Sequence, residues 1–205
     1  MAGLREKQKA QRETRILEVA LASFREQGFE ATRMEKIAEA AELSIGTLYN
    51  YFETKGDILV ALVVMVTRET LVSSHPILES PPRDPNKAIH ALAIAWTDHA
   101  LGLLDKSLWR QAFSMMIERP ETPSSRRFAE NDQQLRDQAA DLIRALQSNG
   151  LLDRKVSAED AALLIFNVVD RSFIAFVVAE EMRREELSQS LERQLAIVTQ
   201  ALLPD

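Results

Sequence analysis

Apolar positions recur at three- and four-residue intervals along most of this chain, the pattern of helices that each bury one face. Over residues 9–27, Ile16, Leu17, Ala20, Leu21 and Phe24 share a face, and Gly28 ends the helix. Between Thr32 and Lys55 the pattern predicts two short helices joined by a tight turn. Thr32 and Glu35 have the spacing of a capping box for the first, whose apolar stripe is Ile37, Ala38 and Ala41. Leu43 closes the turn and Ser44 caps the second helix, from which Leu48, Tyr51 and Phe52 turn inward. Ile45, Gly46, Thr47, Tyr49 and Asn50 are left facing outward. Phe29 and Met34 belong to the same small core, and a fourth helix opens after a Thr54–Asp57 cap and runs toward Ser73.

Pro76, Pro81, Pro82 and Pro85 predict a loop over residues 75–85. Beyond it, helical patterns cover residues 86–104, 108–118, 124–148, 157–183 and 185–203, with Asn149-Gly150 and Ser157 marking a stop and a start. No alternating stretch is long enough for a strand, so the chain reads as all-α, with about nine helices. It divides near Lys55 into an N-terminal three-helix domain (residues 1–55) and a larger helical domain (residues 56–205).

Composition narrows the class. The chain has 205 residues, 46% of them hydrophobic and 27% charged, enough for two modest cores. With no cysteine there are no disulfides, thiolate metal sites or cysteine nucleophile. Charges throughout the first fifteen residues argue against a secretory signal, and the longest apolar blocks are broken by Asn167, Asp170 and Arg171, so a cytoplasmic protein with no membrane partner is expected. The net charge of −6 does not by itself favour nucleic acid. Residues 1–56 are about neutral, and positive charge is concentrated in Arg5, Lys7, Lys9, Arg12 and Arg15, either a phosphate-tracking arm or a solvated end.

A short helix carried crosswise on another fits the major groove of B-DNA. The run Leu43-Ser44-Ile45-Gly46-Thr47-Leu48-Tyr49-Asn50-Tyr51-Phe52, with Lys55 following, resembles the signature of the tetracycline-repressor (TetR) family. Phe24-Arg25-Glu26-Gln27-Gly28-Phe29 and Ala31-Thr32 fit the same pattern, so the resemblance spans about residues 15 to 60. The later helices share only the all-helical habit. Where the family usually has a helix-ending glycine, this chain has Glu42.

The resemblance implies an N-terminal helix-turn-helix DNA-binding domain followed by an effector-binding and dimerisation domain. It implies that Thr47 approaches a base edge or thymine methyl and that Tyr49 reaches phosphate and base. Asn50, Tyr51 and Lys55 correspond to phosphate contacts. Ser44 and Ile45 open the recognition helix, Gly46 permits its close approach, and Arg33 is placed to clamp the flanking backbone. The implied partner is double-stranded DNA carrying a palindromic operator, and the implied activity is ligand-responsive regulation, usually repression, with release by a small apolar or amphipathic effector.

One short helix reads only a few base pairs, so such proteins bind as two-fold dimers. The helix over residues 157–183 is apolar on nearly all sides and must be buried on all of them, while Leu187, Leu191, Leu195, Val198 and Leu202 line one flank of residues 185–203. These two helices are the expected homodimer interface, an intramolecular core being the alternative. Trp96, His99, Leu103, Trp109, Phe113, Met116 and Phe166 are the large side chains from which a ligand cavity could be lined, with Asn167 and Asp170 as polar members. Taken singly, each of these residues is read first as ordinary structure, the aromatics as core and Asp170 as paired with Arg171 across a dimer seam.

Enzyme chemistry has little support: His75, His90 and His99 form no constellation, and no glycine-rich phosphate loop or nucleophile elbow is present. No metal or cofactor is expected. An interaction adaptor that uses the helix-turn-helix only as a fold element is the alternative function, separable from a DNA regulator by salt-dependent binding to a palindrome.

Overall fold

The computed structural model describes the backbone of residues 2–204 and the side chains from Glu6 onward. Among the described residues there are nine helices and no strand. They are α1 (Ala2–Gln27), α2 (Met34–Ala40), α3 (Ile45–Tyr49), α4 (Lys55–Glu79), α5 (Pro85–Leu103), α6 (Lys106–Glu118), α7 (Pro123–Ser148), α8 (Ala158–Val178) and α9 (Arg184–Ala201).

By compactness the chain forms two units, one of residues 1–65 and 111–128, the other of residues 66–110 and 129–205. The compact units therefore do not divide at Lys55: the first takes in the opening turns of α4, the end of α6 and the start of α7.

In the first unit Ile16, Ala20, Phe24, Ile37, Leu48 and Ile58 are almost fully buried. Phe24 and Phe29 meet at a centroid distance of 5.1 Å. α1 begins at Ala2, so most of the basic arm is helical, with Lys7, Lys9, Arg12 and Arg15 exposed; the Arg5 side chain lies outside the described residues. Gly28 ends α1 at φ 82°, as its position predicts. Thr32 does not cap α2. Its hydroxyl is buried and donates back to the carbonyls of Gly28 (2.8 Å) and Ser23 (3.3 Å), which leaves Arg33 at the N-cap without a side-chain cap.

At the other end of α2, Glu42 adopts φ 60° while the Leu43 N–H reaches the carbonyl of Ala38, a Schellman closure with a non-glycine residue at its left-handed position. α4 opens on a reciprocal cap: Thr54 N–H and hydroxyl donate to Asp57 Oδ2, and Asp57 N–H donates to Thr54 Oγ1.

In the second unit α5, α8 and α9 pack on one another. The loop expected over residues 75–85 is shorter, because α4 carries Pro76 inside its last turns and continues to Glu79. A proline there removes one N–H and one bond close to where the helix ends anyway. Pro85 starts α5 as a first-turn proline behind the Asp84 cap. Gln138 ties three elements at the core, accepting from Trp96 Nε1 and Ser74 Oγ, each at 2.8 Å, and donating to the carbonyl of Leu71.

α8 ends at Val178, not at residue 183. Lys106 Nζ donates to the carbonyls of Ala179, Glu180 and Met182 and sits 4.0 Å from the Phe176 ring centroid, so a side chain far along the sequence holds the chain just beyond the helix. Nor is α8 buried on all sides. Ala161, Ala162, Ile165, Val169, Phe173 and Val177 are buried, whereas Leu163, Leu164 and Val178 are 45%, 55% and 66% exposed. On α9 the stripe of Leu187, Leu191 and Leu195 is buried within the chain, and Ile197 faces outward.

Candidate nucleic-acid interface

The short helix α3 is held from below and from its start. Leu48 is fully buried and Phe52 nearly so, which anchors the inward face. Ser44 Oγ accepts from the Thr47 N–H at 3.1 Å and shares a 2.8 Å hydrogen bond with the Thr47 hydroxyl. The cap thus fixes Thr47 as well as the backbone: Thr47 is half-buried with its hydroxyl already partnered. Ile45, Gly46, Tyr49 and Asn50 are exposed, and Tyr51 is half-buried, consistent with a tyrosine that serves core and surface together. Arg33 is exposed at the start of α2.

Lys55, expected to meet phosphate, has its ammonium engaged within the chain. Its ammonium donates to the carbonyls of Phe29 (2.7 Å), Glu30 (2.9 Å) and Thr32 (3.3 Å) and lies 4.6 Å from the Phe29 ring centroid. An ammonium has three hydrogens, and all three are directed at the turn between α1 and α2. Lys55 is therefore a clamp on that turn. Its partners sit more than twenty residues away, which spacing along one helix cannot disclose.

Two further features come from the part of the first unit that is distant in sequence. A cleft of about 740 Å³ is lined by Tyr49, Asn50 and Tyr51 on one side and by Lys9, Arg119 and Arg127 on others. Arg119 Nη2 donates to Glu53 at 2.9 Å while its Nη1 lies 3.5 Å from Asp57 Oδ1, and Arg127 reaches Glu13 at 3.2 Å. The hydrogen bond to Glu53 first, and the nearby charge of Asp57 next, raise the Arg119 pKa further. Sequence reasoning about the helix-turn-helix gave no signal for these residues.

The residues expected to line a ligand cavity do not gather in one unit. Phe113 and Met116 belong to the first, and Trp96, His99, Leu103, Trp109, Phe166, Asn167 and Asp170 to the second. Trp96 and Trp109 are each about 4% exposed and act as core. The Trp96 indole is bound to Gln138, and that of Trp109 donates to the carbonyl of Ala100 and meets Phe173 edge-on at 5.0 Å. His99 and Leu103 are half-buried, with His99 Nε2 lying 3.6 Å from Glu69. Phe166 is covered by Arg136 at 5.0 Å, Asn167 is exposed, and Asp170 is half-buried. Burial first, then the carboxylate of Asp170, push the Asp132 pKa up to about 7 against the opposing pull of Arg136. Asp170 is itself raised by burial, with Arg171 pulling it back down.

A capped five-residue helix lying outward on a three-helix core, followed by an all-helical unit, defines a helix-turn-helix protein. The family model described as "Bacterial regulatory proteins, tetR family" matches residues 16–62, so this N-terminal segment is similar to the DNA-binding domain of that family. The HTH-type transcriptional repressor KstR of Mycolicibacterium smegmatis is 43% identical over 51 residues, which is 25% of this chain and 25% of KstR. KstR of Mycobacterium tuberculosis is 39% identical over 51 residues, 25% of this chain and 23% of its own length. The match thus spans about a quarter of these curated relatives.

The likeness in fold runs further. Thermus thermophilus FadR, a TetR-family transcriptional repressor solved in complex with lauroyl-CoA, superposes with a TM-score of 0.72 at 22% identity, over 94% of this chain and 96% of that one. A TetR/AcrR-family regulator from Thermobifida fusca does so with a TM-score of 0.64 at 25% identity, over 90% and 96%.

Proposed function

We propose that this chain is a DNA-binding transcriptional repressor that acts as a homodimer on a palindromic operator and is released by a small apolar or amphipathic effector. The observation that carries the reading is α3: it is capped by Ser44, anchored by Leu48, and presents Ile45, Gly46, Thr47, Tyr49 and Asn50 outward within a tetR-family domain. Such a helix is dimensioned for the major groove, and two copies are needed for a specific site. The exposed apolar side of α8 supports dimerisation. Leu163, Leu164, Asn167, Arg171 and Val178 fall on one side of that helix at 100° per residue, and the apolar members want a partner surface.

The functional division follows the DNA-contacting elements, residues 1–55, and the effector and dimer elements, residues 56–205. A candidate effector is amphipathic in the manner of the lauroyl-CoA bound by T. thermophilus FadR. α4 and α6 each run unbroken from one compact unit into the other, so an effector that shifts α6 and α4 would alter half-site spacing and lower operator affinity. Regulation of this kind requires coupling of about 1–3 kcal/mol between the two ligands.

Selection of bound sequences from random duplex DNA tests the reading. A palindromic consensus, bound more weakly as salt rises, is expected. Thr47→Ala should relax preference within each half-site by about 1–3 kcal/mol per contacted base pair. Absence of any enriched sequence would leave the adaptor reading in its place.

A further inference from the structure

The geometry points to Arg119, outside the helix-turn-helix, as a positioning residue for DNA affinity: it offsets the carboxylates of Glu53 and Asp57 beside the phosphate-facing end of α3. The inference rests on the DNA-binding reading above.

Glu53 follows Asn50 by three residues, and its side chain is 79% exposed. An uncompensated carboxylate there would repel the same phosphates that Asn50 and Tyr51 are placed to meet. Asp57 adds a second negative charge one turn into α4, its Oδ2 already committed to the cap with Thr54. One guanidinium faces both acids, Nη2 on Glu53 at 2.9 Å and Nη1 at 3.5 Å from Asp57.

Arg119 is delivered by a braced turn. Its N–H bonds the carbonyl of Met115 at the end of α6, and its own carbonyl accepts from Ser125 Oγ, which in turn meets Thr122 Oγ1. Met115 seats this turn against α4, its Sδ so close to Gly56 that an added Cβ would come within 2.6 Å. Residues 1–56 have no excess of positive charge, so the local balance beside α3 depends on a cation imported from residues 111–128. Arg127 repeats the arrangement on a smaller scale by pairing with Glu13 of α1.

A charge-balancing role and a purely mechanical strap predict opposite signs. If the pair only held the turn in place, Arg119→Gln and Glu53→Gln would weaken DNA binding alike. If charge is what matters, Arg119→Gln weakens it and Glu53→Gln strengthens it. The test is fluorescence-anisotropy titration of full-length dimer with its selected operator and with random duplex, at several salt concentrations. A unit charge within about a Debye length of a phosphate changes binding by about threefold, so two half-sites compound to about tenfold.

Arg119→Gln is expected to lose about that factor on both DNAs, Glu53→Gln to gain, Arg119→Lys to stay near wild type, and the double variant Arg119→Gln/Glu53→Gln to return toward it. A double variant as weak as Arg119→Gln alone would mean direct phosphate contact, and equal losses for both single variants would mean a strap; either overturns the inference. Glu53 is exposed, so Glu53→Gln decides the sign even if Arg119→Gln were to misfold. Wild-type protein that failed to prefer its selected operator would defeat the DNA-binding reading itself, before any variant is compared.

Discussion

Lys55 carries a full charge beside α3, yet all three of its N–H groups are directed at carbonyls of the turn after α1. Lys55→Met should therefore lower the stability of the protein by about 1–3 kcal/mol, since hydrogen bonds to a charged donor are lost and carbonyls stranded. The same substitution should leave the salt dependence of DNA binding unchanged, as measured by titration of the folded variant. Glu42 holds a left-handed conformation at φ 60° that only glycine adopts without strain. Glu42→Gly is expected to raise the unfolding free energy by up to about 1 kcal/mol in denaturant titration, part of the gain being offset by the freer unfolded chain. The strain was visible from sequence alone because the position belongs to a linked motif; the use of Lys55 was not.

Elements with local causes were legible in the sequence. Ser44 capping α3, Gly28 ending α1 and the Thr54–Asp57 box opening α4 depend on groups within four residues of one another. Elements whose limits depend on distant partners were not. Thr32 is drawn into a carbonyl bond with the turn before it, and α8 stops where Lys106 collects the carbonyls beyond it.

The α7–α8 pairing shows a further consequence at this scale. Burial first, and then the carboxylate of Asp170 on α8, disfavour the charge of Asp132 on α7 against the pull of Arg136, so Asp132 titrates near pH 7; Asp170 is itself raised by burial, with Arg171 opposing. Unfolded, Asp132 would lose its proton near pH 4; folded, it keeps that proton to about 7. The native state thus binds more protons across that window, and the stability this group contributes is present at low pH and lost as pH rises through it. Asp132→Asn should flatten the difference between pH 5 and pH 8 by about 1–3 kcal/mol, read by chemical denaturation of variant and wild type in parallel.

For the whole molecule, the decisive surface is the side of α8 that the chain leaves open. Leu164 is 55% exposed and Val178 66%, while the apolar stripe of α9 is already buried within the subunit. On the dimer proposed above, Leu164→Glu should preserve the helical circular-dichroism signal but give a monomer in analytical ultracentrifugation where the wild type is dimeric, and affinity for a selected operator should fall by at least a hundredfold with it, since each half-site alone makes few base contacts. The candidate contacts of α3 could be proposed from a linked motif of some ten residues. The charge balance that Arg119 supplies depends on a turn more than sixty residues away, and no local pattern encodes that approach.

Lys55 and Lys106 open their helices in the same way, each with its ammonium turned onto three carbonyls and an aromatic ring, one in each compact unit. A nitrogen whose hydrogens are all engaged is a poor nucleophile until its cage opens. With an amine-acylating reagent, exposed lysines such as Lys36 should be labelled at once, whereas Lys55 and Lys106 should react only as their own unit loosens. Peptide mapping of the two sites would then report separately on the integrity of each compact unit, within one unmodified protein and without any introduced probe.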